Sequence, residues 1–162
     1  MKQLHEVDSL ISQAVEQVRI ITKGLKPVDI QSDGLIYALR EFVETIEDLY
    51  GTHCSFEYDT VFRIRDNITA THLYYIVREA VNSAIKHASP EKIEVCCAIY
   101  GGERIVEISD DGIGNPDLFD GDNGMGISIM KYLASIINAD IDFTRNKGGS
   151  TRVICTLRMA AE

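Results

Sequence analysis

Four polar residues, Glu79, Asn82, Ser83 and Lys86, recur at spacings of three, four and seven, so on a helix they share one narrow stripe. A carboxylate, an amide, a hydroxyl and an ammonium in one row could serve as a base, metal ligands and a phosphate contact. They could equally be a solvated surface. Three other stretches carry residues suited to chemistry. Asp110-x-Gly112-x-Gly114 follows an apolar alternation, Gly124-x-Gly126 precedes a helical pattern, and Lys147-Gly148-Gly149-Ser150-Thr151 enters the last alternating run. A carboxylate beside glycines can accept a hydrogen bond from an exocyclic amino group while backbone approaches a flat ring. Adenine offers such a donor, and guanine presents an acceptor at the same place. Amides at a helix N-terminus attract phosphate, and glycines permit close approach. Each stretch alone also reads as a turn: Asp-Gly ends strands anywhere, and Gly124-x-Gly126 has neither Walker nor Rossmann spacing.

The elements that must position these residues follow from periodicity. Residues 71–88 form a helix with Leu73, Ile76, Val77, Ala80, Val81, Ala84 and Ile85 on one arc, opposite the polar stripe. His87, at the edge of that arc, is expected to pack. Pro90 ends the helix. A helix over 35–50 buries Leu35, Leu39, Phe42, Ile46 and Leu49, and Gly51 caps it. Residues 53–64 alternate weakly, as one or two short strands. Ile93, Val95, Cys97 and Ile99 mark a strand, Gly101-Gly102 a hairpin turn, and 104–109 the returning strand. A helix over 127–138 carries Ile129, Met130, Leu133, Ile136 and Ile137, followed by strands over 140–145 and 151–158. This order predicts an α+β, two-layer sandwich with helices on one face of a mixed, mainly antiparallel sheet. Before it, Leu4, Val7, Ile11, Ala14, Val18, Ile21 and Leu25 alternate by three and four, a narrow seam suited to a coiled coil or bundle. The strictness of the spacing favours an intermolecular seam, hence a homodimer through residues 4–25, over a helix lying on its own domain. Pro27 stops that helix, and 26–33 connects it to the next.

Composition narrows the function. The chain has 162 residues, 45% of them hydrophobic and 25% charged, enough for a real core. A net charge of -9 argues against a nucleic-acid partner. No apolar run is long enough to cross a bilayer, and no stretch at the start reads as a signal peptide. Cys54, Cys96, Cys97 and Cys155 have neither C-x-x-C pairing nor zinc spacing with histidine. They read as small apolar fillers in a reducing, cytoplasmic setting.

Taken together and in this order, the four motifs resemble the ATP-binding domain of sensor histidine kinases, within the superfamily that includes DNA gyrase, the MutL proteins and the heat-shock ATPase chaperones. The segment 78–88 resembles the N box, 109–114 the first glycine box, 124–127 the second and 148–151 the last. The run Gln17-Val-Arg-Ile-Ile-Thr-Lys-Gly-Leu-Lys-Pro27 resembles the end of the second dimerisation helix in kinases that pair with helix-turn-helix response regulators. The resemblance implies the Bergerat ATP-binding fold over 28–162 and a remnant of a dimerisation helix over 1–27. It implies ATP and Mg2+ as cofactors. Glu79 would polarise the nucleophile, Asp110 would hold the adenine amino group, and Thr151 would lie beside it. Gly112, Gly114, Gly124, Met125, Gly126 and Ile127 would border the nucleotide, Lys86 would contact phosphate, and residues 115–123 would form a short lid. Glu79 and Ser83, with Asn82 beside them, would serve the metal.

Two departures stand out. The subfamily places its magnesium-ligating Asn four residues after the N-box Glu, where this chain has Ser83. Asn82 is one residue early, turned by about 100°. The phosphoacceptor helix is also missing: Leu4-His5-Glu6 lies too close to Pro27, and His5 reads as exposed. The chain is therefore expected to be a fragment or shortened relative that cannot autophosphorylate alone. Its partners would be the phosphoacceptor dimerisation domain of its own kinase and a response-regulator receiver, whether or not a longer parent is membrane-anchored. A degenerate nucleotide sensor and an anti-sigma-factor-type serine kinase are the alternatives.

Overall fold

A computed structural model describes residues 33–113, 124–145 and 148–158, together with Ile30 and, in the N-terminal segment, Val7, Asp8, Ile11, Ala14 and Val15. Three helices, α1 (Leu35–Tyr50), α2 (Asn67–His87) and α3 (Met125–Ile136), accompany five strands. The strands are β1 (His53–Tyr58), β2 (Lys92–Tyr100), β3 (Glu103–Asp110), β4 (Ala139–Arg145) and β5 (Thr151–Leu157). They form one sheet in the order β1-β2-β3-β5-β4. Only β1 and β2 are parallel. A parallel pair needs a long crossover, and α2 supplies it. The mixed, mainly antiparallel sheet with helices packed on it agrees with the expected fold class.

The core follows the alternation of the strands. Ile93, Val95 and Cys97 of β2, Val106 and Ile108 of β3, and Val153, Cys155 and Leu157 of β5 are buried. They meet Leu73, Ile76, Val77, Ala80, Val81 and Ala84 of α2. Burial pushes the Cys155 thiol up to about 12 and Cys54 up to about 11, and it raises Cys97 too. These thiols stay protonated and behave as apolar fillers. The hairpin turn at Gly101-Gly102 has φ of 60° and 81°, the left-handed pair that a two-residue turn between twisted strands requires.

Several boundaries differ from the periodicity. The second helix begins at Asn67, four residues before the expected 71, because Asp66 caps it: its carboxylate accepts the Thr69 N–H at 2.8 Å and the Thr69 hydroxyl at 2.6 Å. Helix α1 buries Val43 with Leu35, Leu39 and Ile46, whereas Phe42 and Leu49 lie at the edge of the face. Phe42 instead packs edge-on against Tyr74 of α2, with ring centroids 5.9 Å apart. Residues 53–64 give one strand, then a loop that buries Phe62 and Ile64. Helix α3 starts at Met125 with Gly124 as its N-cap, and its buried residues are Ile127, Met130 and Ala134, while Ile129 and Ile136 face outward. In the N-terminal segment Val7, Ile11, Ala14 and Val15 are helical and exposed. The other seam residues, His5 and the run 17–27 lie outside the described residues.

Candidate functional site

The ends of β3 and β5 meet the last turns of α2 beside the start of α3. Thr151 opens β5 and is the one buried polar residue among those described, 8% exposed. Its backbone N–H donates to the Asp110 carboxylate, which also accepts the Gly112 N–H at 2.9 Å. Asp110 is half-buried. Burial raises its pKa above the ordinary carboxylate value, and the two N–H donors only partly oppose that. The carboxylate therefore lies where a further donor that desolvates little would be welcome.

A small cavity opens beside it. Asp110, Thr151 and Ile108 form its floor, Ser83 and His87 of α2 one wall, and Ile127 and Met130 of α3 another. Its volume is about 30 Å³, one water's share of the liquid. His87 does not pack as expected. It is exposed and lines the cavity, because α2 ends at this residue and leaves the side chain at the cavity rim.

Two glycines fix the walls. A Cβ on Gly112 would fall 2.3 Å from the Ala88 carbonyl oxygen and 2.6 Å from Ala88 Cβ. Only glycine lets the turn after β3 lie against the end of α2, where the Ile113 N–H donates to the same carbonyl at 3.1 Å. A Cβ on Gly126 would fall 2.7 Å from Glu79 Oε1. The first turn of α3 thus lies directly over the Glu79 carboxylate, and α3's N-terminal amides sit next to the polar stripe of α2.

Of the expected site residues, Ser83, Asp110, Ile127 and Thr151 line the cavity; Glu79 and Gly126 approach each other between α2 and α3 outside its lining, and Gly112 packs on Ala88. Asn82 is half-buried on α2 but does not line the cavity, and Lys86 is exposed one turn further on. Gly124 and Met125 stand at the exposed N-terminus of α3, Met125 being 81% exposed. Gly114, Lys147 and the segment 115–123 lie outside the described residues. The motifs did not disclose Met130, Ile108 and His87 as cavity walls. The first two carry only the signature of core residues, and their place follows from how α3 and β3 stack. A wider cleft of about 420 Å³ lies near Tyr37, Arg40, Tyr58 and Arg63, and it contains none of the motif residues.

The model of the histidine kinase-, DNA gyrase B-, and HSP90-like ATPase family matches residues 68–161. The chain belongs to this family. Among curated proteins, this ATPase-family chain is 28% identical over 148 residues to the oxygen sensor histidine kinase NreB of Staphylococcus carnosus, covering 88% of the chain and 42% of NreB. It is 28% identical over 151 residues to the nitrate/nitrite sensor protein NarQ of Escherichia coli, covering 93% of the chain and 26% of NarQ. The chain thus spans less than half the length of these relatives. The histidine kinase domain of the Erythrobacter litoralis blue-light activated histidine kinase has the same fold, with a TM-score of 0.64 at 21% identity over 76% of this chain and 64% of that one. Among the described residues no helix is long and apolar enough to cross a membrane.

The site's chemistry fits a purine nucleotide. A half-buried carboxylate with a raised pKa, Asp110, lines the cavity as an acceptor for an exocyclic amino group, and Gly112 packs the turn behind it against Ala88. Among the described residues no three of His, Cys, Asp and Glu converge on a metal site.

Proposed function

We propose that the chain is the ATP-binding catalytic part of a two-component sensor histidine kinase, transferring the γ-phosphate of ATP to a histidine of a dimerisation domain for relay to a response regulator. The observation that carries this reading is that Asp110, Thr151 and Ser83 line one cavity, with Glu79 one turn before Ser83 on α2 and against Gly126 of α3. Asp110 accepts the adenine amino group, with Gly112 and Thr151 holding the carboxylate in place. The enclosed part of the cavity is small and opens to solvent, so the purine would extend beyond it. The phosphates then run past Ser83 toward the N-terminus of α3, whose amides and dipole favour negative charge. Lys86 stands one turn along the same face.

Glu79 is the group placed to polarise the attacking imidazole. Its carboxylate lies against the first turn of α3, where Gly126, having no Cβ, leaves room for it. Phosphoryl transfer asks little covalent chemistry of the protein, so catalysis rests on alignment and charge stabilisation. Magnesium, held by Glu79 and Ser83 with the phosphates, would neutralise charge on the transferring group. Dimerisation through residues 4–25, the cytoplasmic location and the receiver-domain partner belong to the same reading.

Supplying a separate two-helix dimerisation domain with an intact phosphoacceptor tests the reading. Acid-labile, base-stable phosphate on that domain supports histidine chemistry. Phosphate on serine instead points to an anti-sigma-factor-type kinase. A second reading, a nucleotide sensor without turnover, is favoured by Ser83 lining the cavity where the resemblance expects Asn. Calorimetry with ADP, with and without magnesium, separates the two: tight binding indifferent to magnesium supports the sensor.

A further inference from the structure

Strand β3 ends at Asp110, a second aspartate, Asp111, follows it, and the nucleotide reading uses only the first. Asp111 is exposed and turns the other way. Its Oδ1 accepts the backbone N–H groups of Glu91 and Lys92, each at 2.9 Å. Its own N–H donates to the Lys92 carbonyl at 3.2 Å. The segment it grips is the connection from α2 to β2. Within that connection Ser89 has φ of 45°, in the left-handed region, and the buried Pro90 follows. The residue before a proline is ordinarily extended, so this turn is strained twice over. Such a conformation persists only where its surroundings over-determine it.

Most of the surroundings here are contributed by residues 111–113, just after β3. Asp111 holds the far side of the turn through Glu91 and Lys92. The Ile113 N–H and the close approach of Gly112 hold the near side at Ala88. Glu91 in turn accepts the His53 N–H at 3.0 Å, which ties in the start of β1. The last turn of α2 and the Asp110 turn are therefore fastened to each other at both ends of one short strained link. Helix α2 bears Glu79 and Ser83, and the β3 turn bears Asp110.

We propose that Asp111 is a positioning residue that sets the spacing between the base-binding carboxylate and the phosphate-facing helix. This rests on the ATP reading given above. The base and the phosphates are the two ends of one ligand, so a shift between the groups that hold them affects a ligand that spans both more than one that reaches a single end. A second aspartate provides a built-in control. At the opposite corner of the sheet Asp59 Oδ2 accepts the Ile99 N–H at 2.8 Å, and the Asp59 N–H donates to the Cys97 carbonyl at 2.8 Å. The device is similar, with one accepted N–H in place of two, and none of the motif residues takes part in it.

The test is calorimetric titration of the whole chain with a non-hydrolysable ATP analogue and with adenosine, on the wild type, D111A, D111N, D111E and D59A. Asp111→Ala is expected to weaken the ATP analogue about tenfold and adenosine less than about threefold. Asp111→Asn keeps an acceptor oxygen and stays within about twofold of wild type for both. Asp111→Glu keeps the charge but lengthens the arm, so it is expected to show the same selective loss, and its melting temperature, measured alongside, checks that the chain is folded. Asp59→Ala lowers the melting temperature and leaves the ratio of the two affinities unchanged. Equal effects of D111A and D59A on the ratio, or wild-type binding by both D111A and D111E, overturn the positioning role while the ATP reading stands. A wild-type chain that binds neither probe removes the ATP reading itself, and the positioning role falls with it.

Discussion

Asp110 and Glu79 are both half-buried carboxylates of one site, yet they are held by different means. Asp110 is gripped by main-chain donors, from Gly112 at 2.9 Å and from Thr151, at the ends of two paired strands. Glu79 projects from a helix face and is confined by the first turn of α3, through the missing Cβ of Gly126. The base side is therefore part of the sheet's own hydrogen bonding, and damage there reaches the fold. The phosphate side is an agreement in shape between two helices, and damage there is expected to reach function while sparing stability.

Gly112→Ala breaks the base side hardest. The new Cβ meets backbone at 2.3 Å, and main chain cannot swing aside as a side-chain tip can. Overpacking of this kind costs about 3 kcal/mol, so a clear drop in the denaturation midpoint is expected together with loss of ADP binding in calorimetry. Retained binding at wild-type affinity would mean that the turn after β3 does not border the nucleotide.

Asp110→Asn follows. Exchanging one carboxylate oxygen for an amide leaves the shape intact but places donors where adenine also donates. Hydrogen bonds to charged groups are worth about 1.5–3 kcal/mol, so ADP affinity should fall about tenfold to a hundredfold while the melting temperature changes little. Titration gives the same carboxylate a second signature. The folded-state pKa is raised by burial. Its contribution to stability is thus fully present below the unfolded value and is lost as pH rises through the raised one. Nucleotide binding needs the ionised acceptor, so affinity runs the opposite way and falls as pH drops through that raised value. Measured Kd for ADP should climb on acidification sooner than an ordinary carboxylate would allow, and D110N should flatten the curve. A wild-type profile no steeper than that of D110N would exclude Asp110 as the acceptor.

The contrast between the two sides also explains what the sequence could show. Helical spacing placed Glu79, Asn82, Ser83 and Lys86 on one stripe without any fold in hand, because a helix fixes its faces locally. Alternation and turn chemistry likewise placed a strand through residues 93–99, a glycine turn and a returning strand over 104–109, which the structure extends to Lys92–Tyr100 and Glu103–Asp110. The start of α2 at Asn67 was not legible from apolar periodicity: the first turn carries the exposed Ile68, and Asp66 makes the boundary by capping. Val43 displaced Phe42 from the core because Phe42 has Tyr74 to pack against, a contact set by tertiary geometry. The base side needed long-range pairing. That Thr151 stands over Asp110 follows from β3 lying next to β5, which no local pattern states. His87 was misplaced for the same reason, since its face depends on what α3 and β5 bring to the end of α2.

Gly126→Ala is the sharper test of the phosphate side. Its Cβ would meet Glu79 Oε1 at 2.7 Å, the far end of a side chain that can turn away. Replacing a helical glycine by alanine gains up to about 1 kcal/mol in intrinsic propensity, so stability should hold or rise. Phosphoryl transfer to an added dimerisation domain should nonetheless fall about tenfold or more, because the carboxylate leaves its place. A variant that loses stability and transfer together would put the two sides of the site on the same footing.

Ser83→Asn has the smallest expected effect and bears on the metal alone. Ser83 lines the cavity and Asn82 does not, so the amide that the resemblance expects is offset by one residue and about 100° around the helix. A serine hydroxyl reaches less far than an amide oxygen, and magnesium compensates for a short ligand by keeping a water. An asparagine at 83 would replace that water directly. Affinity for ADP should then gain a few-fold in the presence of magnesium, on the order of 0.5–1 kcal/mol, and stay unchanged in its absence. Asn82→Ala, tested alongside, should alter neither. A gain that appears equally without magnesium would assign the new contact to the phosphates. No gain at all would remove the argument from Ser83, and the sensor reading would then lose the one residue that favours it.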